Sequence, residues 1–501
     1  MIGRMSTLLR ILVAAVLALA GDTRAQEPAT LLITNVSVLD GSGAPARAGA
    51  VRISGDRIAD VGTLTAREGE RVVDGGGLTL APGFIDTHSH HDRGLLEQRE
   101  ALGAVSQGIT TIVVGQDGGS AYPLADAFAR FTAAPPAVNV ASYAGHGTLR
   151  RRVMGEDFKR PATADEVRRM EELLRAELQA GALGLSTGLE YDPGIYSHPS
   201  EVIALAKVAA AQGGRYASHV RSEDREFWKA IDEAIGVGRE AKIPVLISHL
   251  KLAMRSLWGE TGRLLKMLDA ARAEGIDVTA DIYPYTYWQS GMSVLFPNRD
   301  FDNRAEAEFA LREVTSPEGL LITRFPPDES YAGKTLADIA RARGVDAPRA
   351  MMDLLREAEG EIGVVATSMN ERDVLTLTQW PFANICSDGT STGGHPRGFG
   401  AFPRVLGRYV REQRGLTLEE AVRKMTSLSA ATVGLSGRGA IKPGHAADLV
   451  LFAPASVIDH ATTSDPKALS TGIHTVWVNG TIVFQQGRST GEYPGRVLRR
   501  R

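Results

Sequence analysis

His88 and His90 stand two residues apart, directly after the apolar run Phe84-Ile85-Asp86. Along extended backbone, residues i and i+2 face the same way, so both imidazoles project to one side. His219 closes the run Tyr216-Ala217-Ser218-His219, and His249 closes Val245-Leu246-Ile247-Ser248-His249. Glu190 follows the run at Leu183-Gly184-Leu185, and Asp388 ends Asn384-Ile385-Cys386-Ser387-Asp388. Four imidazoles and two carboxylates form the nitrogen and oxygen donor set that zinc and similar metals take. Any one of them alone reads as a hydrogen-bonded packing residue, the reading we keep for His91, His146, His198, His395 and His445. Six donors at the ends of five such runs are hard to reach by packing and point to one or two divalent metal ions, Zn2+ first. Such a metal lowers the pKa of bound water to about 7, which yields hydroxide for attack on an amide carbonyl. Asp388 beside a cation stays ionised, so it can accept the water's proton and deliver it to the leaving nitrogen as general acid/base.

These residues need a scaffold that brings distant strand ends together. Candidate strands one to four are Phe84-Ile85-Asp86, Thr111-Ile112-Val113-Val114, Val138-Asn139-Val140-Ala141 and Leu183-Gly184-Leu185. Candidates five to eight are the runs ending at His219 and His249, then Val278-Thr279-Ala280-Asp281, then the run ending at Asp388. Helices fall between most of them. The clearest runs from a Thr163 cap through Val167, Met170, Leu174 and Leu178 to Gly181, with helical apolar spacing and a glycine stop. Strands alternating with helices over residues 81–434 predict an α/β protein with a (β/α)8 TIM-like barrel, whose catalytic groups sit at the C-terminal rim. Residues 287–360 are too long for one connection and predict an inserted subdomain or lid between strands seven and eight. Short alternating runs return at both ends, in 26–80 and 435–501, with a hairpin signal at Asn479-Gly480. They predict one small β-sandwich domain built from both chain ends.

Composition narrows the function classes. The 501 residues carry 56 basic and 59 acidic side chains, a net charge of −3, which offers no footprint for nucleic acid. A single cysteine, Cys386, excludes an internal disulfide and a cysteine-rich metal cluster. Residues 1–25 read as a signal peptide: Arg4 and Arg10, the apolar run Ile11 to Ala20, then Thr23-Arg24-Ala25. The protein is therefore expected to be exported, periplasmic or secreted. No other run reaches 18 apolar residues, so no membrane association is expected after signal removal. The expected partner is a small molecule, and oligomerisation stays open.

Several segments resemble the amidohydrolase superfamily, and within it the D-aminoacylase (N-acyl-D-amino-acid deacylase) group. They include Ala81-Pro-Gly-Phe-Ile-Asp-Thr-His-Ser-His90, Gly145-His-Gly-Thr-Leu-Arg150 and Gly181-Ala-Leu-Gly-Leu-Ser-Thr-Gly-Leu-Glu-Tyr191. Ser248-His-Leu-Lys251, Asp281-Ile-Tyr-Pro-Tyr285, Ser387-Asp-Gly389, His395-Pro-Arg397 and Ile441-Lys-Pro-Gly-His-Ala-Ala-Asp448 continue the match. The H-x-H start is common to the superfamily, whereas the segments at Tyr191, Lys251 and Arg397 are similar to this group in particular. The resemblance implies a metal-dependent hydrolase that cleaves N-acyl-D-amino acids. It implies Lys251 as receiver of the substrate carboxylate and Tyr191 and Arg397 as further substrate contacts. Their plain readings are barrel-mouth packing for Tyr191 and surface salt bridges for Lys251 and Arg397. Tyr283, Tyr285, Tyr287 and Trp288 cluster after strand seven as an apolar wall or as packing.

One departure matters. The group typically carries a metal-bridging cysteine after strand two, where this chain reads Gly115-Gln116-Asp117-Gly118. Glu190 stands where the group has an apolar residue, and other amidohydrolases bridge two metals with a strand-four carboxylate. The resemblance thus implies His219 and His249 on one metal, His88 and His90 on the other, and Glu190 between them. Asp117 is the rival, its plain reading being a turn residue. A dipeptidase for D-containing or cell-wall-derived peptides is the alternative activity, and a catalytically silent scaffold the alternative class.

Overall fold

The computed structural model describes residues 30–500. The segment expected to direct export lies outside the described residues. Among the described residues, no helix is long and apolar enough to cross a membrane.

The second strand, Ile109–Val114, is rich in β-branched residues and buried at every position, as a strand covered on both faces must be. It pairs in parallel with Phe84–Asp86 on one side and Asn139–Ser142 on the other. A second parallel ladder runs through Ala144–Gly145, Gly184–Gly188, Arg215–His219, Val245–Ile247, Val278–Ile282 and Ala383–Ile385. The third strand belongs to both ladders, broken only at Tyr143. At the opposite edge Asp388 N donates to His88 O (2.8 Å) and His90 N donates to Gly389 O (2.9 Å). The first and last strands therefore meet at the candidate metal ligands.

Helices cover the outside. Ala164–Ala180 starts at a Thr163–Glu166 capping box, buries Met170, Leu174 and Leu178, and stops at left-handed Gly181. The cap satisfies backbone donors that the first turn leaves open, and glycine takes the left-handed stop at no steric cost.

Between strands seven and eight the chain makes a long excursion. Tyr287–Gly291, Leu320–Arg324 and Gly363–Thr367 form an antiparallel sheet with Gly363–Thr367 in the middle. The expected boundary at residue 360 is too early, because the central strand of this sheet begins after it. That strand is chosen by its two distant partners, which local sequence does not reveal.

Five strands between Thr30 and Pro82 and four between Leu449 and Ser489 join one nine-stranded hydrogen-bonded sheet. The link is Leu449–Phe452 paired antiparallel with Thr79–Pro82, whose start pairs with Ser37 and Val38. Ile33, Val51, Ile53, Leu80, Leu449 and Trp477 fill its core. This sheet is tied to the third barrel strand through side chains. Asn139 Nδ2 donates to Asp448 Oδ2 (3.2 Å), Asn479 Nδ2 donates to Asn139 Oδ1 (2.8 Å), and Arg438 pairs with Asp448. Removing one partner of a buried ion pair strands the other. Asp448→Ala should therefore lower stability by about 3 kcal/mol, seen as a lower urea midpoint.

Candidate metal centre

Four of the five strand ends expected to supply a ligand reach one space, joined there by the end of strand two. His88 and His90 leave the first strand, Asp117 the second, His219 the fifth, His249 the sixth and Asp388 the eighth. Asp117, His249 and Asp388 have left-handed backbone, with φ of 55°, 36° and 48°. Residues other than glycine rarely adopt it, at a cost of about 1–3 kcal/mol each. The turn lets the chain leave the strand while the side chain stays aimed along the axis.

Three candidate ligand groups result, and Asp117 belongs to two of them. The first joins His88, His90, Asp117 and Asp388; the second joins Asp117, His219 and His249; the third joins Glu190, His219 and Glu223. Asp117 Oδ1 lies 3.4 Å from His88 Nε2 and 3.5 Å from His249 Nε2, and its Oδ2 lies 3.2 Å from His90 Nε2. His219 Nδ1 faces His249 Nε2 at 2.9 Å. Asp388 Oδ1 is 3.6 Å from His88 Nε2 and 3.4 Å from His90 Nε2.

The donors fit a divalent cation by their unmet needs. Both ring nitrogens of His88 and Oδ1 of Asp117 are buried with no hydrogen-bond partner, a state that costs free energy unless something else binds them. Burial opposes ionisation of Asp117, yet His88, His249 and His90 hold its carboxyl well below the usual range. Burial also opposes charge on His88, but Asp117 and Asp388 outweigh it and raise its pKa. Positive charge is drawn to the centre of this cluster, and a metal supplies it without a proton.

The expectation that Glu190 lies between the histidine pairs is not met. Its Oε2 is 2.9 Å from His219 Nε2, on the ring edge away from His249, and its Oε1 accepts from Glu223 N (3.2 Å). The fourth strand ends at Gly188, and the chain turns before Glu190, with Tyr191 N donating to Gly188 O. The carboxylate is thereby carried behind the ring. Asp117 holds the middle because three glycines let its loop approach. A Cβ on Gly188 would lie 2.1 Å from Asp117 O, and one on Gly145 would lie 2.4 Å from Gly118 O.

A model of the amidohydrolase family matches residues 71–297 and 333–484. The chain belongs to the amidohydrolase family. It is 37% identical to the D-aminoacylase of Alcaligenes xylosoxydans xylosoxydans, over 95% of this chain and 98% of that protein. It is 38% identical to the N-acyl-D-glutamate deacylase of the same organism, over 95% and 97%. The structure of N-acyl-D-glutamate deacylase from Bordetella bronchiseptica, complexed with zinc and a phosphonate mimic of the tetrahedral intermediate, superposes with a TM-score of 0.86. That match has 36% identity and covers 94% of this chain and all of the other.

The other residues of this amidohydrolase line one cavity beside the cluster. Tyr191, Lys251 and Arg397 are all in its wall, with Tyr283 and Trp288. Tyr285 and Tyr287 instead pack against His395, with ring centroids 5.2 and 4.6 Å away. Lys251 is bonded to Glu223, and Arg397 Nη1 lies 2.6 Å from Asp388 Oδ2. Burial disfavours the Asp388 carboxylate, but Arg397 and His88 more than offset it and hold its carboxyl below the usual range. Tyr191 stacks on His219 with centroids 4.3 Å apart.

Three residues were not singled out from sequence, Glu223, Asp281 and His395, and Tyr283 was read there only as apolar wall or packing. Glu223, in the loop after strand five, contacts His249 Nδ1 at 3.2 Å, and no sequence signal marks it. Asp281 Oδ1 accepts from His249 N, while its Oδ2 faces His88 Nδ1 at 3.8 Å. Tyr283 has a buried hydroxyl without a partner, which burial keeps protonated well above its ordinary value. His395 Nδ1 accepts from Arg397 N (3.0 Å) and its Nε2 donates to Tyr287 O (2.9 Å). Asp281 and His395 sit inside family-like segments; their support of other residues appears only in three dimensions.

Two outcomes test this arrangement. Asp117→Ala should lose most bound metal from both of its groups, and metal analysis of purified protein would show it. Gly188→Ala, which forces Asp117 to move, should weaken metal binding roughly 10-fold or more while the far-ultraviolet circular dichroism is retained.

Proposed function

We propose that this protein hydrolyses the amide bond of N-acyl-D-amino acids. The observation that carries this reading is the His-Asp cluster sharing a cavity with Lys251 and Arg397. In this reading His88, His90, Asp117, His219, His249 and Asp388 hold one or two metal ions. A bound divalent metal supplies an acidified water and a Lewis acid for the scissile carbonyl. Asp388 takes the proton from the attacking water and returns it to the departing nitrogen. Arg397 keeps that carboxyl ionised between turnovers. Lys251 and Arg397 receive the substrate carboxylate by charge-assisted bonds, and Tyr191 closes the pocket over His219.

The chain's cavity also bears on the side chain accepted, which the relatives' names leave open. Ala253, Val294, Leu295 and Val314 line it together with Glu190, Glu223 and Asp224. Its cations, Lys251 and Arg397, already face Glu223 and Asp388. A second substrate carboxylate would enter this wall without a counter-ion, and an unpaired buried charge costs several kcal/mol.

A second reading has its own support. A polar chamber of about 620 Å³ adjoins the cluster on the His90 and Asp117 side, with space for an acyl group longer than acetyl. It favours D-containing or cell-wall-derived peptides as further substrates. Export, supported by the run Ile11 to Ala20, would bring the protein to such compounds. The scaffold in this reading is a (β/α)8 barrel with residues 287–367 as its lid.

Zinc-loaded protein assayed on matched N-acetyl-D, N-acetyl-L and dipeptide panels tests the reading. D-selective hydrolysis is expected, and equal cleavage of both enantiomers would overturn it. Within the D series, N-acetyl-D-leucine should exceed N-acetyl-D-glutamate roughly 100-fold in kcat/KM, matching a cost of about 3 kcal/mol. Lys251→Met should raise KM roughly 10-fold or more through loss of a charge-assisted bond.

A further inference from the structure

An imidazole gives a metal one nitrogen and keeps a proton on the other, so the partner of that second nitrogen decides which one ligates. In His219 the choice is visible. Nδ1 faces His249 Nε2 at 2.9 Å, within the group that contains Asp117. At that distance either one ring donates to the other or, with both nitrogens unprotonated, a cation lies near both. Nε2 points the opposite way and meets Glu190 Oε2 at 2.9 Å. His219 is nearly fully buried and only 13% of the Glu190 side chain is exposed, so the contact is weakly screened.

The partner is itself held. Glu190 Oε1 accepts from Glu223 N, Arg299 Nη2 donates to Glu190 O (2.8 Å), and Tyr191 packs on the His219 ring. His249 differs: Lys251 Nζ donates to its Nδ1 (2.9 Å), with Glu223 Oε1 at 3.2 Å beside it. The carboxylate behind a ring nitrogen is therefore particular to His219 in the second group.

Resting on the metal-centre reading above, we propose that Glu190 is a positioning residue that makes His219 ligate through Nδ1 and tightens the Asp117–His219–His249 site. A carboxylate accepting the Nε2–H fixes the tautomer, stops rotation of the ring and makes Nδ1 a stronger donor. Glu190 itself does not touch the metal. With Asp117 in the middle, the strand-four carboxylate acts from behind a ligand.

The test uses the full chain as wild type, Glu190→Gln and Glu190→Leu, each titrated with Zn2+ or Co2+ against a competing chelator. Circular dichroism and thermal midpoints check folding, and the Co2+ visible spectrum reports the ligand set. Glu190→Leu should weaken one metal equivalent 10- to 100-fold without changing stoichiometry at saturation. Glu190→Gln, which still accepts the Nε2–H without charge, should lose less. Ring 15N shifts of His219 should show the Nδ1-ligating tautomer in wild type and a mixture in Glu190→Leu. Unchanged affinity in both variants would overturn the proposal. So would a lost equivalent with a changed Co2+ spectrum in Glu190→Gln, which would make Glu190 a ligand. If wild type itself binds no metal, the centre fails as a whole, a result distinct from either.

Discussion

Buried lone pairs aimed at one another are the constraint around which the molecule is built. His88 has two buried ring nitrogens without partners, Asp117 has an unpartnered oxygen, and His219 and His249 point nitrogens at each other. In water such groups would be solvated; here the strands exclude it, and a shared divalent cation would satisfy the set at once. The backbone hydrogen bonds that join the first and last parallel strands run through Asp388, His88 and His90, so the same residues link these strands and carry candidate ligands.

That arrangement is held at a local cost. Left-handed backbone at Asp117, His249 and Asp388 is unfavourable by itself, and it persists because neighbours leave no alternative. Asp281 binds the His249 amide, and the glycines at 118, 145 and 188 let three backbones approach closer than side chains would permit. Rigid strands carry these constraints, which suits chemistry that depends on ångström-scale placement.

The charges are organised in layers. Lys251 and Arg397 face the cavity, but each leans on a carboxylate of the site, Glu223 and Asp388. Glu223 Oε1 and Lys251 Nζ both approach His249 Nδ1, and Glu190 meets His219 Nε2. Both cations therefore share their partners with the residues that surround the candidate ligands.

Much of the site was legible in the sequence because strand periodicity is strict. His88 and His90 share a face by spacing alone, and His219, His249 and Asp388 mark the ends of apolar runs. The residue types also named the chemistry, since imidazole and carboxylate donors suit few other tasks in such number. What the linear order could not decide was which carboxylate stands in the middle. Glu190 and Asp117 each follow a strand, and a turn of two residues carries one behind a ring while a left-handed residue aims the other inward. The central strand of the excursion, Gly363–Thr367, was equally hidden, because its partners lie some 40 and 80 residues away. Period and donor type are properties of the chain itself, whereas bridging, second-layer support and sheet partnership arise only when backbones from distant segments come within hydrogen-bonding reach.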